Sequence, residues 1–208
     1  THEYSSEIKN TQTIHIASPT KYRYTNYAMN LTEIVRHAIN EDIPTGDITS
    51  QLMIPNDQTA NASIIAKSPG VFFGMPIVDA IGTLFSNCTL NCKVSDGDIL
   101  SSNDTCISMF GPTVELLGFE RVLLNFLQRL SGIATITRQF VDALDDATIG
   151  IYDTRKTTPL LRSLEKQAVV AGGGCNHRFG LSDMVLIKEN HWHHYLSNNQ
   201  LNEFNQKL

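Results

Sequence analysis

The sequence predicts an α+β sandwich domain over residues 29–130, followed by the first part of an α/β barrel over residues 131–208. Three patterns carry that expectation. Residues 59–67 alternate as a half-buried strand does, and Thr89–Val94 and Thr105–Phe110 read as further strands between turn residues. Thr113–Leu144 repeats apolar residues at helical spacing. Ile149–Ile187 reads as strand, helix, strand, the unit of parallel sheets and barrels, in which sites collect at the strand carboxyl ends.

Residues 1–28 are polar and weakly periodic, rich in Thr, Ser, Tyr and Asn, and are expected to be a disordered extension, with a short strand at Thr13–Ala17 as the other reading. Truncation to Met29 is accordingly expected to leave the melting temperature and oligomeric state unchanged; loss of soluble protein would show the extension to be structural. A helix from Leu31 to about Asn40 buries Leu31, Ile34, Val35 and Ala38. Glu41–Gln51 is a turn around Pro44 and Gly46. After the first strand, Ser68-Pro69-Gly70 breaks the pattern and Pro76 opens a second helix. Asp96-Gly97-Asp98 is read as a turn in preference to a metal loop. Ser131-Gly132 is expected to interrupt the long helical run, and Arg129 to be a solvated charge on its face. The last helix of the unit spans Leu160–Ala171; Gly172-Gly173-Gly174 lacks a phosphate-loop pattern and reads as a tight turn aiming the residues after it. A strand at Met184–Ile187 and an outer helix bearing Leu196, Leu201, Phe204 and Leu208 complete the chain.

Composition narrows the function. With 41% hydrophobic and 18% charged residues and a net charge of −5, nothing draws the chain as a whole to nucleic acid or an acidic membrane. Four cysteines in 208 residues are no disulfide framework, and Cys88-x3-Cys92 lacks the second pair a zinc site needs. His191, His193 and His194 flank Trp192 without a carboxylate or thiolate at metal-ligand spacing. No apolar run approaches a membrane span and no signal-peptide core is visible, so a cytoplasmic setting is expected.

Charge is distributed unevenly. Between Ile151 and His191, Arg155, Lys156, Arg162, Lys166, Arg178 and Lys188 outnumber Asp153, Glu165, Asp183 and Glu189. Three cationic clusters, Arg155-Lys156, His177-Arg178 and Lys188, each follow an apolar run or a glycine turn, which points to a ligand with more than one negative group. Asp153, Thr154, Asn176 and Asn190 stand beside these clusters as hydrogen-bonding partners.

The ordered segments Glu41-Asp42-Ile43-Pro44-Thr45-Gly46-Asp47, Glu120-Arg121, Leu130-Ser131-Gly132-Ile133-Ala134-Thr135, Asp153-Thr154-Arg155-Lys156-Thr157, Asn176-His177-Arg178 and Lys188-Glu189-Asn190-His191 closely resemble the quinolinate phosphoribosyltransferase family. The resemblance runs from about Leu31 to His191 and implies conversion of quinolinate and phosphoribosyl pyrophosphate to nicotinate mononucleotide, pyrophosphate and carbon dioxide in NAD biosynthesis. It implies substrate binding by Arg121, Thr154, Arg155, Lys156, His177, Arg178 and Lys188. Lys156, Lys188 and His177 are implied as catalytic groups, Mg2+ as an ion accompanying phosphoribosyl pyrophosphate, and a homodimer in which Arg121 reaches the neighbouring subunit's site. The family's later ribose- and 5′-phosphate-binding motifs have no counterpart here, so this stretch alone is expected to be inactive. A non-catalytic remnant and the molybdenum-operon paralogue of the same fold are the alternatives.

Overall fold

The computed structural model describes residues 30–146 and 148–197. The expectations for residues 1–28 and for Leu201, Phe204 and Leu208 lie outside them. Helix α1 (Leu31–Asp42) begins where the Asn30 side chain accepts the Thr32 amide, and it buries Val35 and Ile39. The turn that follows contains an unanticipated helix, α2 (Ile48–Met53), capped by Asp47, which accepts from the Ser50 amide and hydroxyl. The Ser50 hydroxyl bond, foremost among the contacts, holds the Asp47 carboxyl below its ordinary pKa.

The strands of the N-terminal region form as their patterning requires. Strands β1 (Thr59–Ile65), β3 (Thr89–Cys92) and β5 (Thr105–Pro112) make an antiparallel sheet in the order β1-β5-β3. β1 alternates exposed and half-buried positions throughout, so one face meets the core and the other meets solvent. Strands β2 (Gly70–Val71) and β4 (Ile99–Leu100) pair separately. Helix α3 (Met75–Leu84) has no side-chain cap of its own; Asp96 Oδ1 accepts the Gly74 and Met75 amides at 2.7 and 3.0 Å instead. The Asp96-Gly97-Asp98 turn, with Gly97 at φ +96°, therefore serves as a helix cap at long range.

Helix α4 is continuous from Thr113 to Leu144, which corrects the expected interruption at Ser131-Gly132. A mid-helix glycine costs about 1 kcal/mol relative to alanine, and Leu127, Leu130 and Ala134 are buried on either side of it. Ser131 Oγ and Thr135 Oγ1 accept the Phe73 and Val71 amides at 3.1 and 2.8 Å, so these residues bind the N-terminal layer to the helix rather than ending it. Phe119 is fully buried on α4 against Phe85 at 5.0 Å between ring centres.

Beyond α4 the architecture is mixed α/β, but the expected barrel strands are not ladders. Among the described residues, Ile149–Tyr152 contributes one parallel bridge, Tyr152 to Cys175, and Met184–Ile187 is not a strand. A parallel strand draws its hydrogen bonds from a neighbour, and Val185 is 76% exposed. Helix α5 (Arg162–Ala171) forms as expected and ends at the glycines, with Gly173 at φ +89°. Helix α6 (Glu189–Ser197) starts just after Lys188. No described helix is long and apolar enough to cross a membrane.

Candidate active site

The bridge at Tyr152 and Cys175 sets two cationic segments side by side. Cys175 donates its amide to the Ile151 carbonyl at 2.7 Å and its carbonyl accepts the Asp153 amide at 3.1 Å. This is possible because the chain turns tightly at the glycines: a Cβ on Gly172 would lie 2.3 Å from the Ala134 carbonyl of α4, and one on Gly174 would lie 2.8 Å from Thr137. The turn does aim Asn176, His177 and Arg178 toward the Asp153 segment.

Asp153 is the hub. Lys166, on α5, is fully buried; its Nζ lies 2.5 Å from Asp153 Oδ1 and donates to the His177 carbonyl at 2.9 Å. Asp153 Oδ1 also accepts the His177 amide at 2.8 Å. With its nitrogen turned inward, the Asn176 carboxamide donates to Asp153 Oδ2 at 2.7 Å and to the Lys166 carbonyl at 2.9 Å. A buried ammonium is tolerated only among such acceptors. Next to Lys166, Glu165 is 7% exposed; its Oε1 accepts from Arg129 Nε at 3.0 Å and Nη2 at 2.6 Å, and its Oε2 accepts the Thr158 amide at 3.2 Å. Arg129 Nη2 also donates to the Thr158 hydroxyl. Arg129 is half exposed, as a helix-face charge should be, but it is also an ion-pair partner across helices, its side chain reaching from α4 to α5. Between Thr158 and α5, Leu160 adopts φ +67°, a strained turn for a leucine.

These residues enclose a cleft of about 180 Å³ that includes Thr154, Lys156 and Thr157 beside Asp153, Glu165 and Lys166. Thr154 and Lys156, expected site residues, are therefore at its wall, and Thr154 Oγ1 accepts the Lys156 amide at 3.1 Å. Arg155 lies between them, and its Nε is buried without a hydrogen-bond partner. His177 Nδ1 accepts the Arg178 amide at 2.7 Å, which leaves Nε2 as the protonated, donating nitrogen of the neutral ring. Arg178 is buried at 6% exposure and donates through Nη1 to the Met184 carbonyl at 3.0 Å, so it also fixes the segment leading to Lys188. Lys188 is exposed, with its amide donated to His191 Nδ1 at 2.9 Å, a cap for α6. Arg121 is exposed on α4. Of the expected site residues only Thr154 and Lys156 line the cleft; Arg121, Arg155, His177, Arg178 and Lys188 do not. Arg162 ties the two cationic segments together, donating to Thr157 Oγ1 at 3.0 Å and the Phe179 carbonyl at 3.1 Å while stacked over the Phe179 ring.

Asp153 and Asn176 are hydrogen-bonding partners of the cationic segments, as the sequence suggested, but Asp153's place as the hub and the roles of Glu165 and Lys166 were missed. One signal was there: Glu165 falls within the apolar stripe of Leu161, Leu164, Ala168 and Val169, where an unpaired carboxylate would be costly. No thiol offers a ready nucleophile in the N-terminal layer, since burial first and the Glu115 carboxylate second push Cys88 up to about 11. Among the described residues no group of three or more His, Cys, Asp or Glu could hold a metal, and the cleft carboxylates, Asp153 and Glu165, are committed to Lys166 and Arg129. Among the described residues the cleft therefore leaves no uncommitted carboxylate for a resident Mg2+.

Residues 47–131 match the N-terminal domain of quinolinate phosphoribosyl transferase, and residues 133–207 match its C-terminal domain. The chain belongs to the quinolinate phosphoribosyltransferase family. It is 49% identical over 164 residues to the probable nicotinate-nucleotide pyrophosphorylase [carboxylating] of Bacillus subtilis, covering 78% of this chain and 56% of that one. It is 41% identical over 167 residues to the chloroplastic nicotinate-nucleotide pyrophosphorylase [carboxylating] of Arabidopsis thaliana, covering 78% and 47%. The solved structure of NadC from Streptococcus pyogenes superposes with a TM-score of 0.77 at 38% identity, covering 83% of this chain and 61% of that one. The nicotinate-nucleotide pyrophosphorylase of Ehrlichia chaffeensis also gives 0.77 at 38% identity, covering 86% and 65%. The chain thus spans about half the length of the curated family members it matches.

Proposed function

We propose that this chain supplies the quinolinate-binding part of a quinolinate phosphoribosyltransferase, a pentosyl transferase that joins quinolinate to phosphoribosyl pyrophosphate and releases pyrophosphate and carbon dioxide. The observation that carries this reading is the buried, unpartnered Arg155 Nε on the segment whose neighbours Thr154 and Lys156 wall the cleft. A buried guanidinium N–H without an acceptor costs free energy, and a pyridine dicarboxylate seated against this segment supplies an oxygen for it while Lys156, on the cleft wall, holds a second carboxylate. As the C2 carboxylate leaves as carbon dioxide, cations on that side stabilise the electron pair left on the ring.

The rest of the family's arrangement follows as part of the same reading: residues 131–208 open an α/β barrel, two copies pair so that Arg121 of one completes the pocket of the other, and Lys188, at the start of α6, adds a cation to the site. Magnesium then enters as the counter-ion of the pyrophosphate substrate. A cytoplasmic protein fits the expected setting.

Calorimetry with quinolinate and with nicotinate tests the reading. The wild-type chain is expected to bind the dicarboxylate in preference to the monocarboxylate, and Arg155→Ala to weaken quinolinate at least about tenfold, the effect of one charged hydrogen bond. Equal binding of both acids, or an unaffected Arg155→Ala, would refute it.

A further inference from the structure

We infer that Glu165 and Lys166, adjacent on α5, act as a two-point clamp on the substrate-binding segment Asp153–Thr158, making both of them positioning residues for the proposed reaction. Lys166 grips the start of the segment through Asp153 Oδ1 at 2.5 Å; Glu165 grips its end through the Thr158 amide at 3.2 Å. Thr154, Arg155 and Lys156 lie between the two grips. Each clamp residue has a second hold that places the segment relative to the rest of the site. Lys166 also donates to the His177 carbonyl, so the two cationic segments share one anchor. Glu165 also accepts from Arg129, so that anchor is referred to α4.

Stability does not explain the pair. A buried Lys–Asp contact scarcely repays the desolvation of its charges, and apolar residues of the same volume commonly serve as well or better. What apolar residues cannot do is fix both ends of an irregular segment to fractions of an ångström, which a site binding a rigid dicarboxylate requires. Other holds fall at the ends of the segment, from the Asp153 amide to the Cys175 carbonyl, from Arg162 to Thr157 Oγ1 and from Arg129 to the Thr158 hydroxyl; for Thr154–Lys156 themselves there is one bond, from the Lys156 amide to Thr154 Oγ1, and the turn beyond Thr158 contains the strained Leu160.

The inference rests on the proposed quinolinate reading, and the test separates the two. Lys166→Met, Glu165→Ala, Glu165→Met and Glu165→Gln are compared in the full chain by hydrogen exchange and by quinolinate calorimetry. Exchange over residues 153–158 is expected to rise about tenfold or more in Lys166→Met and Glu165→Ala while the β1–β5 ladder is unchanged. Quinolinate affinity is expected to fall about tenfold in both. Glu165→Gln keeps both the volume and an acceptor for Thr158 and should recover most of both effects, whereas Glu165→Met, of similar volume without an acceptor, should not; a merely space-filling role predicts recovery in both. If Lys166→Met fails to fold, the Glu165 variants carry the test alone. Unchanged exchange in the segment, or a loosened segment with wild-type affinity, overturns the clamp. A wild-type chain that ignores quinolinate overturns the functional reading and the substrate half of this inference, and the exchange arm then decides whether the clamp exists.

Discussion

Asp153→Ala is expected to be among the most damaging single substitutions in the chain. It strands the fully buried Lys166 ammonium and removes the acceptor of the His177 amide in one step. Breaking one side of a buried ion pair costs about 3–5 kcal/mol, which in a chain of this size lowers the melting temperature by roughly 6–20 °C. The double variant Asp153→Leu/Lys166→Met removes both charges and should regain most of that loss while leaving the cationic segment poorly placed. Differential scanning calorimetry of the two variants checks both halves of the claim. A melting temperature unaltered in Asp153→Ala would mean that Lys166 reaches water or another acceptor, and that the hub does not organise the site.

Arg121→Ala carries the second large effect, on activity instead of stability. Arg121 is exposed on α4, opposite the buried stripe of Leu116, Leu123, Leu127 and Leu130, so its removal leaves the core intact. If it completes the pocket of a partner copy, losing one charged contact in a dry site costs on the order of 2–4 kcal/mol, or tens- to several hundred-fold in turnover by the assembled enzyme. Subunit exchange with Arg155→Ala sharpens the test, because the Arg155 Nε has no partner within the fold to lose. A mixed dimer places both lesions in one site and leaves the other intact, so activity should partly return. Proven exchange without recovery would assign Arg121 to its own subunit's site or to the fold.

Much of this fold was legible because its signals are local. The alternation in Thr59–Ile65, the helical spacing of Leu31, Ile34, Val35 and Ala38 and the Pro at the second position of α3 each act within a few residues. Long-range effects were hidden. Ser131-Gly132 reads as a break because propensity is local, whereas the amides of Val71 and Phe73 that use Thr135 and Ser131 are about sixty residues away. Met184–Ile187 has the composition of a strand, yet composition supplies no neighbour to pair with. At the site, residue types announced the cations, but the hub came from the pairing of Asp153 with Lys166, thirteen residues apart and on different elements. Glu165 was visible only as a charge out of place on an apolar stripe.

Helix α4 has an implication for how family members can be recombined. The two matched regions meet at residues 131–133, in the middle of a rod about 48 Å long, so no hinge or linker offers a joint there. A chimera spliced at that seam must carry Ser131 and Thr135 with the β2 edge they bind, and Arg129 with the Glu165 it pairs to. The two halves can therefore be exchanged between relatives only as a matched set, with the splice moved outward past one end of the helix.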